Sequence, residues 1–168
     1  YSFLQYIFAL QWRSIRDYAH QHGVSILGDV PIFVAHDSAD CWAHQDLFDL
    51  DEKGNPAFCA GVPPDYFSIN GQLWGNPLYR WDVMAEDHYD WWVKRFRQVS
   101  TLCDEVRIDH FRGFAAYWSV KAGADTAKEG SWQPGPGEDF FRVLFKQLRN
   151  LHLVAEDLGI ITDDVCQL

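Results

Sequence analysis

The sequence is short of positive charge. Its 168 residues contain 14 Lys and Arg against 24 Asp and Glu, so the formal net charge is −10. Surfaces that bind polyanions need clustered positive charge, and we therefore expect no nucleic-acid partner and no membrane partner. No apolar run approaches the roughly 20 residues of a membrane-spanning helix, and the first residues show no signal-peptide pattern.

Cysteine is also scarce, with four residues that form no C-x-x-C pair: Cys41, Cys59, Cys103 and Cys166. Disulfide scaffolds and zinc ribbons need denser spacing, so we expect reduced structural thiols and a cytoplasmic protein. The seven His form no H-x-x-x-H pair, and the segment Asp49–Gly54 carries Lys53 where a calcium loop needs a ligand. We read that segment as a hairpin turn and expect no metal and no cofactor.

Aromatic residues, in contrast, are abundant. Eight Trp, seven Tyr and twelve Phe make up 16% of the chain. Such rings can form a core or a stacking surface for flat ligands, and composition alone does not choose between them.

Hydrophobic periodicity predicts helices and strands in alternation. Apolar residues recur at helical spacing in 1–22, 89–103 and 141–148, and short apolar runs predict buried strands at 24–27, 105–108 and 151–155. Thr162 has the features of an N-cap for a further helix. Such alternation indicates parallel strands in an α/β fold. We favour a (β/α)8 TIM-type barrel over an open doubly wound sheet, because no G-x-G-x-x-G follows a strand.

The chain length and one long irregular segment bear on the predicted barrel. A complete barrel needs about 250 residues, so residues 1–168 would be part of one catalytic domain. From Val30 to Trp81 the sequence is irregular and rich in Gly and Pro. A connection of this length is usually functional, and we predict that residues 30–85 form a long loop insertion over the active site.

Carboxylates follow the predicted strands. In Arg107-Ile108-Asp109-His110, residues two apart share one face, so Arg107 and Asp109 project together. An adjacent Arg keeps a carboxylate ionised, which suits a nucleophile, although a structural ion pair has the same spacing. Glu156 follows the third strand, where apolar surroundings favour a protonated acid; the alternative is that it belongs to an acidic pair that caps a helix. Two such carboxylates on neighbouring strands are what glycoside chemistry requires.

The third feature is the loop from Gly61 to Ser68, which continues from Gly71 to Pro77 and contains Tyr66 and Trp74. Aromatic rings beside amides and hydroxyls suit sugars, whose CH faces stack on rings while their hydroxyls form hydrogen bonds. The same rings could instead anchor the loop to the fold, and we expect both.

Four segments in this order resemble the amylomaltases, which are 4-α-glucanotransferases of the α-amylase clan, called disproportionating enzymes in plants. They are Gly28–Val34, Gly61–Ser68 with Gly71–Pro77, Arg107–Gly113 and Ala155–Gly159. The resemblance covers essentially the whole chain. It implies a (β/α)8 barrel, of which this chain would contain strands three to five, and transfer of α-1,4-glucan segments between maltooligosaccharide or starch-type chains. In a plant, it implies a plastid location.

Residue by residue, the resemblance makes Asp109 the nucleophile and Glu156 the general acid/base. It makes Asp29, Arg107 and His110 substrate-binding residues, together with two aromatics of the loop, Tyr66 and Trp74. The family's third catalytic Asp has no counterpart among these residues, so we expect the 168-residue piece to be inactive by itself. Two alternatives stay open, an α-amylase-type hydrolase and a non-catalytic glucan-binding fragment.

Overall fold

In a computed structural model, residues 1–158 and 161–168 are described, and they form a mixed α/β fold. The α-helices are α1 (Ser2–Gln21), α2 (Ala39–Ala43), α3 (Trp81–Glu86), α4 (Asp90–Ser100), α5 (Gly137–Gln147) and α6 (Asp163–Gln167). The strands are β1 (Leu27–Pro31), β2 (Phe58–Val62), β3 (Gln72–Pro77), β4 (Glu105–Asp109), β5 (Ala116–Lys121), β6 (Gly130–Pro134) and β7 (Leu153–Ala155). Short 3-10 turns lie at Gln45–Leu47 and Phe111–Phe114.

Three of the strands form a parallel sheet in the order β1-β4-β7. The predicted alternation of helices and parallel strands is therefore confirmed for this sheet. One face is apolar, with Val30, Val106 and Ile108 at most 1% exposed. Because neighbouring residues of a strand point to opposite faces, Asp29, Arg107 and Asp109 lie on the other face.

The first strand begins later than the sequence predicts. We expected it at 24–27, whereas β1 runs from Leu27 to Pro31. Gly28 lies inside this strand, and a Cβ there would come within 2.5 Å of the Cys103 Sγ. It is thus a close-approach glycine and not the end of the strand.

The prediction that the chain is irregular between Val30 and Trp81 is wrong. This region contains β2, β3 and α2, and two further strands that the sequence analysis did not predict, β5 and β6, follow later in the chain. Together the strands form an antiparallel sheet in the order β3-β2-β5-β6. This second sheet supplies one side of the cavity described below.

An aromatic core lies beneath the parallel sheet. Trp92 and Phe96 of α4, Phe114 and Phe140 are fully buried. The Trp92 ring lies 5.6 Å from that of Phe140, and the Phe140 ring lies 4.8 Å from that of Phe114. A large share of the aromatic surplus is therefore core, and it packs the segment that follows Asp109 against α4 and α5.

Candidate active site

The carboxyl ends of the parallel strands bring the predicted catalytic residues together. Asp29 is in register with Arg107, Pro31 with Asp109, and Ile108 with Ala155. Glu156, one residue past β7, donates its N–H to the Ile108 carbonyl at 3.1 Å. Asp109 and Glu156 consequently end adjacent strands at the same edge of the sheet.

Arg107 connects two carboxylates on this edge. Its Nη1 donates to Asp29 Oδ1 at 2.6 Å and its Nη2 donates to Asp109 Oδ1 at 2.8 Å. The hydrogen bond to Asp29, followed by that to Asp109, raises the pKa of the Arg107 guanidinium. The fork leaves Asp109 with one oxygen, Oδ2, that accepts no hydrogen bond from the described residues. An oriented carboxylate with a free oxygen is suited to attack an electrophilic carbon.

Glu156 is held by backbone donors. Its Oε2 accepts from the His110 N–H at 3.1 Å and its Oε1 accepts from the Leu158 N–H at 2.6 Å. His110 can aim its amide at the neighbouring strand because it adopts the left-handed conformation, with φ 53°. The residue after the predicted nucleophile thus orients the predicted acid.

The imidazole of His110 is largely buried. Its pKa is lowered to about 4, chiefly by desolvation; the Asp109 charge opposes this shift and the nearby Arg112 charge adds to it. At neutral pH the ring is uncharged. Trp74 packs edge-on against it with ring centroids 4.7 Å apart, and Nε2 has no hydrogen-bond partner among the described residues.

A cavity of about 330 Å³ opens above the two carboxylates. Five of the predicted site residues line it: Trp74, Arg107, Asp109, His110 and Glu156. Asp29 lies outside the lining and reaches the site through Arg107. Tyr66 also lies outside it and is fully exposed.

The loop that carries Tyr66 is shaped by its own hydrogen bonds. Asp65 Oδ1 accepts from the N–H groups of Phe67 and Ser68, both at 2.8 Å. The chain then turns at Gly71, whose φ of 67° and close approach to the Val62 carbonyl exclude a side chain. This turn brings Phe67, which is 92% exposed, to the rim of the cavity.

Several residues that line the cavity were not among the predicted site residues, and they include Phe67, Gln72, Arg112 and Trp132. The motifs quoted above contain three of these residues, Phe67, Gln72 and Arg112. Strand alternation does not select Arg112, because it lies in a 3-10 turn and not in a strand. Trp132 lies in β6, which the sequence did not predict. Gln72 accepts a hydrogen bond from the Trp74 indole at 3.1 Å.

The segment Asp49–Gly54 is a turn, as predicted. Asp51 Oδ1 accepts from the N–H groups of Lys53 and Asn55, and Leu50 pairs with Pro56 in an antiparallel bridge. Within residues 1–158 and 161–168, no group of three or more His, Cys, Asp or Glu is arranged to hold a metal ion. Over the same residues, no helix is both long enough and apolar enough to cross a bilayer.

Paired carboxylates at the ends of adjacent parallel strands, below aromatic walls, are typical of α/β enzymes that act on glycosides. Comparison of the sequence with family models gives a narrower assignment. The chain belongs to the 4-alpha-glucanotransferase family, whose model matches residues 1–168. The resemblance to amylomaltases noted in the sequence is thereby confirmed.

Individual relatives agree with this assignment. The chain is 53% identical over 167 residues to the 4-alpha-glucanotransferase of Synechocystis sp., covering 98% of this chain and 33% of that protein. It is 50% identical to the chloroplastic/amyloplastic 4-alpha-glucanotransferase of Arabidopsis thaliana, covering 98% of this chain and 28% of that protein. The chain thus spans about a third of the length of these curated relatives.

Solved structures give the same result. Amylomaltase from Streptococcus agalactiae, solved in complex with acarbose, superposes with a TM-score of 0.92 at 44% identity over 97% of this chain and 33% of that one. Amylomaltase from Corynebacterium glutamicum, at 22% identity, superposes with a TM-score of 0.84 over 98% of this chain and 23% of that one, and shows the fold alone.

Proposed function

We propose that the full-length protein to which this chain belongs transfers α-1,4-glucan segments between maltodextrin or starch-type chains. The observation that carries the proposal is the placement of Asp109 and Glu156 on adjacent strands in one cavity, with the Arg107 fork holding Asp109. Membership in the 4-alpha-glucanotransferase family supports the same substrates as donor and acceptor.

The first step forms a covalent glycosyl-enzyme. An Asp109 oxygen attacks the anomeric carbon, and the bond from that carbon to the leaving 4-oxygen breaks. Glu156 gives its proton to the leaving oxygen, so that the shortened glucan departs as a neutral alcohol. The Arg107 fork stabilises the carboxylate that attacks and leaves one of its oxygens free.

The second step returns the enzyme to its starting state. Glu156, now ionised, accepts the proton of an acceptor 4-hydroxyl as that oxygen attacks the anomeric carbon, and the bond to Asp109 breaks. Two inversions give retention of configuration. Retention requires carboxyl groups about 5–5.5 Å apart, which neighbouring parallel strands can supply, because adjacent strands lie about 4.7–4.9 Å apart.

The polar and aromatic residues around the carboxylates would bind the sugar at the bond that breaks. Asp29, Arg107 and His110 supply donors and acceptors on the strand edge, and Trp74 supplies a ring above His110. The bound acarbose of the S. agalactiae relative supports an α-glucan as the ligand of such a site. Tyr66, which is exposed, would contact sugar rings only beyond the cavity rim.

In the whole protein, we assign β1, β4 and β7 to the third, fourth and fifth strands of a (β/α)8 barrel. The parallel order of the three strands and the superposition on S. agalactiae amylomaltase support this assignment. The third catalytic Asp expected from the family would then come from the remainder of the barrel. Residues 30–85 would cover the active site, which the position of β3 and Trp74 at the cavity supports.

We further place the protein in the cytoplasm, or in a plastid if the source is a plant. The chloroplastic/amyloplastic relative of A. thaliana supports the second location. All four cysteines are free, with Cys41, Cys59 and Cys103 buried and Cys166 exposed, and free thiols are compatible with a reducing compartment.

Product analysis tests the proposed function. We expect the full-length protein to convert maltotriose into longer dextrins and glucose, with Asp109→Asn abolishing turnover while maltotriose still binds. Glucose and maltose as the sole products would indicate a hydrolase and contradict the proposal. Unchanged turnover of Asp109→Asn would instead contradict the assignment of the nucleophile.

A further inference from the structure

Trp132 is a partly exposed aromatic residue in the cavity wall to which the mechanism above gives no role. It lies in β6, is 39% exposed and lines the cavity together with Glu156. The rings of the aromatic core, such as those of Trp92 and Phe140, are fully enclosed by other side chains. Packing of the core therefore does not account for Trp132, whose ring offers surface to a ligand in the cavity.

The indole of Trp132 is held in place by its neighbours. The central carbon of the Arg112 guanidinium lies 4.0 Å from the ring centroid. Trp118 is paired with Trp132 in the register of β5 and β6, and the two ring centroids lie 5.3 Å apart at an interplanar angle of 67°. The Trp118 indole is fixed in turn, because its N–H donates to the Ala127 carbonyl at 2.9 Å. A ring that is already ordered loses little conformational entropy when a ligand binds to it.

The contact with Trp132 also helps to explain why Arg112 is buried. Arg112 is 8% exposed, and desolvation lowers the pKa of its guanidinium. Its Nη1 donates to Thr162 Oγ1 at 3.2 Å, while Nε has no hydrogen-bond partner among residues 1–158 and 161–168. Burying a cation is costly, and attraction between a guanidinium and an indole offsets part of that cost. The buried cation and the partly exposed ring thus form one unit of the cavity wall.

This unit lies on the Glu156 side of the nucleophile. The sheet order β1-β4-β7 places Glu156 next to Asp109 on the side away from β1. After Asp109 the chain turns towards Glu156, because the His110 N–H donates to Glu156 Oε2 at 3.1 Å. Arg112 follows two residues later in the 3-10 turn. Trp132, whose ring contacts Arg112 and which lines the cavity with Glu156, is therefore on that side.

In the proposed reaction, the Glu156 side is where the acceptor glucan binds. The donor sugar places its anomeric carbon at Asp109, and Glu156 exchanges a proton with the 4-oxygen of the departing or the incoming glucan. The glucose unit that carries this oxygen lies on the same side as Glu156. Its CH face is apolar, so it can stack on an indole while its hydroxyls form hydrogen bonds.

We propose that Trp132 is the stacking platform for the acceptor glucan, with the Arg112 guanidinium holding its indole in place. The inference rests on the proposed function, because it requires a second sugar chain to enter after the first has left. It assigns acceptor binding to a residue of the antiparallel sheet, whereas the residues at the strand ends act on the donor. Trp132 takes no part in bond making.

A donor with no leaving sugar separates the two steps. With α-maltosyl fluoride, an Asp109 oxygen bonds to the anomeric carbon and fluoride leaves with the bonding electron pair, while no sugar occupies the acceptor side. The 4-oxygen of added maltose then attacks this carbon, Glu156 takes its proton and the bond to Asp109 breaks, which gives maltotetraose. Water in the place of the acceptor gives maltose.

The experiment is a single turnover of the full-length protein, in excess over radiolabelled α-maltosyl fluoride, with increasing unlabelled maltose as the acceptor. The reaction is stopped before its products react again. One readout is the rate of fluoride release, which reports on the first step. The other is the division of the label between maltotetraose and maltose, which gives the acceptor concentration for half-maximal transfer.

Trp132→Leu removes the ring and keeps an apolar side chain, whereas Trp132→Phe keeps a ring. We expect Trp132→Leu to raise the maltose concentration for half-maximal transfer about tenfold or more, since loss of an aromatic anchor commonly costs more than the roughly 1.4 kcal/mol that equals a factor of ten. Fluoride release should stay within about twofold, and Trp132→Phe within about threefold of wild type in both readouts. Trp42→Leu, at a 77% exposed position outside the cavity lining, is the control and should change neither.

An unchanged acceptor concentration in Trp132→Leu would overturn the inference, as would equal losses in both readouts or Trp132→Phe behaving like Trp132→Leu. A loss in fluoride release alone would place the ring on the donor side and overturn it too. The wild type tests the underlying function separately. If its only labelled product is maltose at every acceptor concentration, the proposed function fails and the inference fails with it. If wild type forms maltotetraose and Trp132→Leu does so equally well, only the role of Trp132 is wrong.

Discussion

At the scale of single residues, Arg107 decides how the site is arranged. Its two donors go to two carboxylates on different strands, Asp29 and Asp109, at 2.6 and 2.8 Å. A lysine carries the same charge but only one nitrogen, so it cannot span both acceptors in a fixed plane. The geometry of the fork, and not its charge alone, is therefore the property to test.

We predict that Arg107→Lys lowers kcat/KM for maltotriose about 100-fold in the full-length protein, as expected for a displaced nucleophile. The melting temperature should change little, because half-exposed ion pairs contribute about 1 kcal/mol or less. The matched control is Arg142→Lys on α5, where Arg142 forms exposed pairs with Glu138 and Asp139. Full activity in Arg107→Lys would show that the fork does not orient Asp109.

The buried imidazole of His110 makes the free energy of unfolding depend on pH. Desolvation lowers its pKa to about 4, whereas an unfolded His titrates near 6.5. Between these values the unfolded chain binds more protons than the folded protein, so stability rises with pH through this window. The contribution is about 3 kcal/mol above pH 6.5 and is lost as the pH falls towards 4.

His110→Asn should remove this dependence, and Asn also tolerates the left-handed backbone at this position. The measurement is the free energy of unfolding in urea at pH 7 and at pH 4.5. Comparing wild type with the variant cancels the contributions of the other titratable groups. His44→Asn, at an exposed position, is the control. An identical pH difference in wild type and His110→Asn would mean that the buried ring does not titrate as described.

At the scale of elements, α1 is attached to the fold through polar bonds. None of its residues is buried. Asp104, just before β4, accepts from the Ile26 N–H at 2.8 Å, from Arg16 at 2.6 Å and from His20 at 2.9 Å. These bonds, led by that from Ile26, hold the pKa of Asp104 well below its usual range. The carboxylate thus joins α1 to both β1 and β4.

We predict that Asp104→Asn speeds amide hydrogen exchange in α1, because the Asn NH₂ cannot accept and faces one of the three donors. The free energy of unfolding should fall by about 1–2 kcal/mol at pH 7. Since the carboxylate pKa is depressed in the folded protein, this difference should be present above about pH 4 and disappear at lower pH. Asp17→Asn, exposed on the same helix, should leave α1 exchange unchanged, and equal exchange in both variants would contradict the role of Asp104.

The elements also show where sequence reasoning succeeds. The helices α4 and α5 and the strands β4 and β7 could be predicted because a packed sheet between helices repeats apolar residues at regular spacing. The apolar residues of α1 have the same helical spacing, although none of them is buried in the described residues. The antiparallel sheet could not. Its β3, for example, contains Gly75 with φ 74° and is mostly exposed, so it has neither the alternation nor the burial of a typical strand. Trp132 was missed with it.

The residues of the candidate site that lie at the ends of strands could be predicted from the sequence. Asp109 and Glu156 each occur where an apolar run stops, and their pairing follows from parallel order alone. Arg112 and Trp132 meet through a contact between a 3-10 turn and the antiparallel sheet, and no periodicity in the sequence encodes it. Long-range contacts of this kind can be identified only once the three-dimensional structure is known.

At the scale of the whole molecule, one helix of the chain exposes many large apolar side chains. Large side chains along α1 are uncovered, among them Phe3, Leu4, Tyr6 and Phe8. The chain also spans about a third of its relatives' length. Exposed apolar patches mark surfaces that contact other structure, so, if the barrel proposed above is correct, its other elements should cover this face in the full-length protein.

This arrangement predicts that the purified 168-residue chain binds a hydrophobic dye strongly, whereas the full-length protein does not. Replacing Phe3 and Leu4 by Ser in the 168-residue chain should reduce dye binding, because it removes part of the uncovered surface. Circular dichroism of the same samples checks that helix content is retained. Equal dye binding by the isolated chain and the full-length protein would contradict the coverage of α1.

The most direct measurement is chemical trapping of the glycosyl-enzyme. A 5-fluoro-α-maltosyl fluoride should glycosylate the nucleophile faster than the intermediate turns over, and peptide mapping by mass spectrometry locates the sugar. We predict an ester on the peptide that contains Arg107-Ile108-Asp109, and no label in Asp109→Asn. A sugar attached to a different carboxylate, or labelling that persists in Asp109→Asn, would contradict retaining transfer through Asp109.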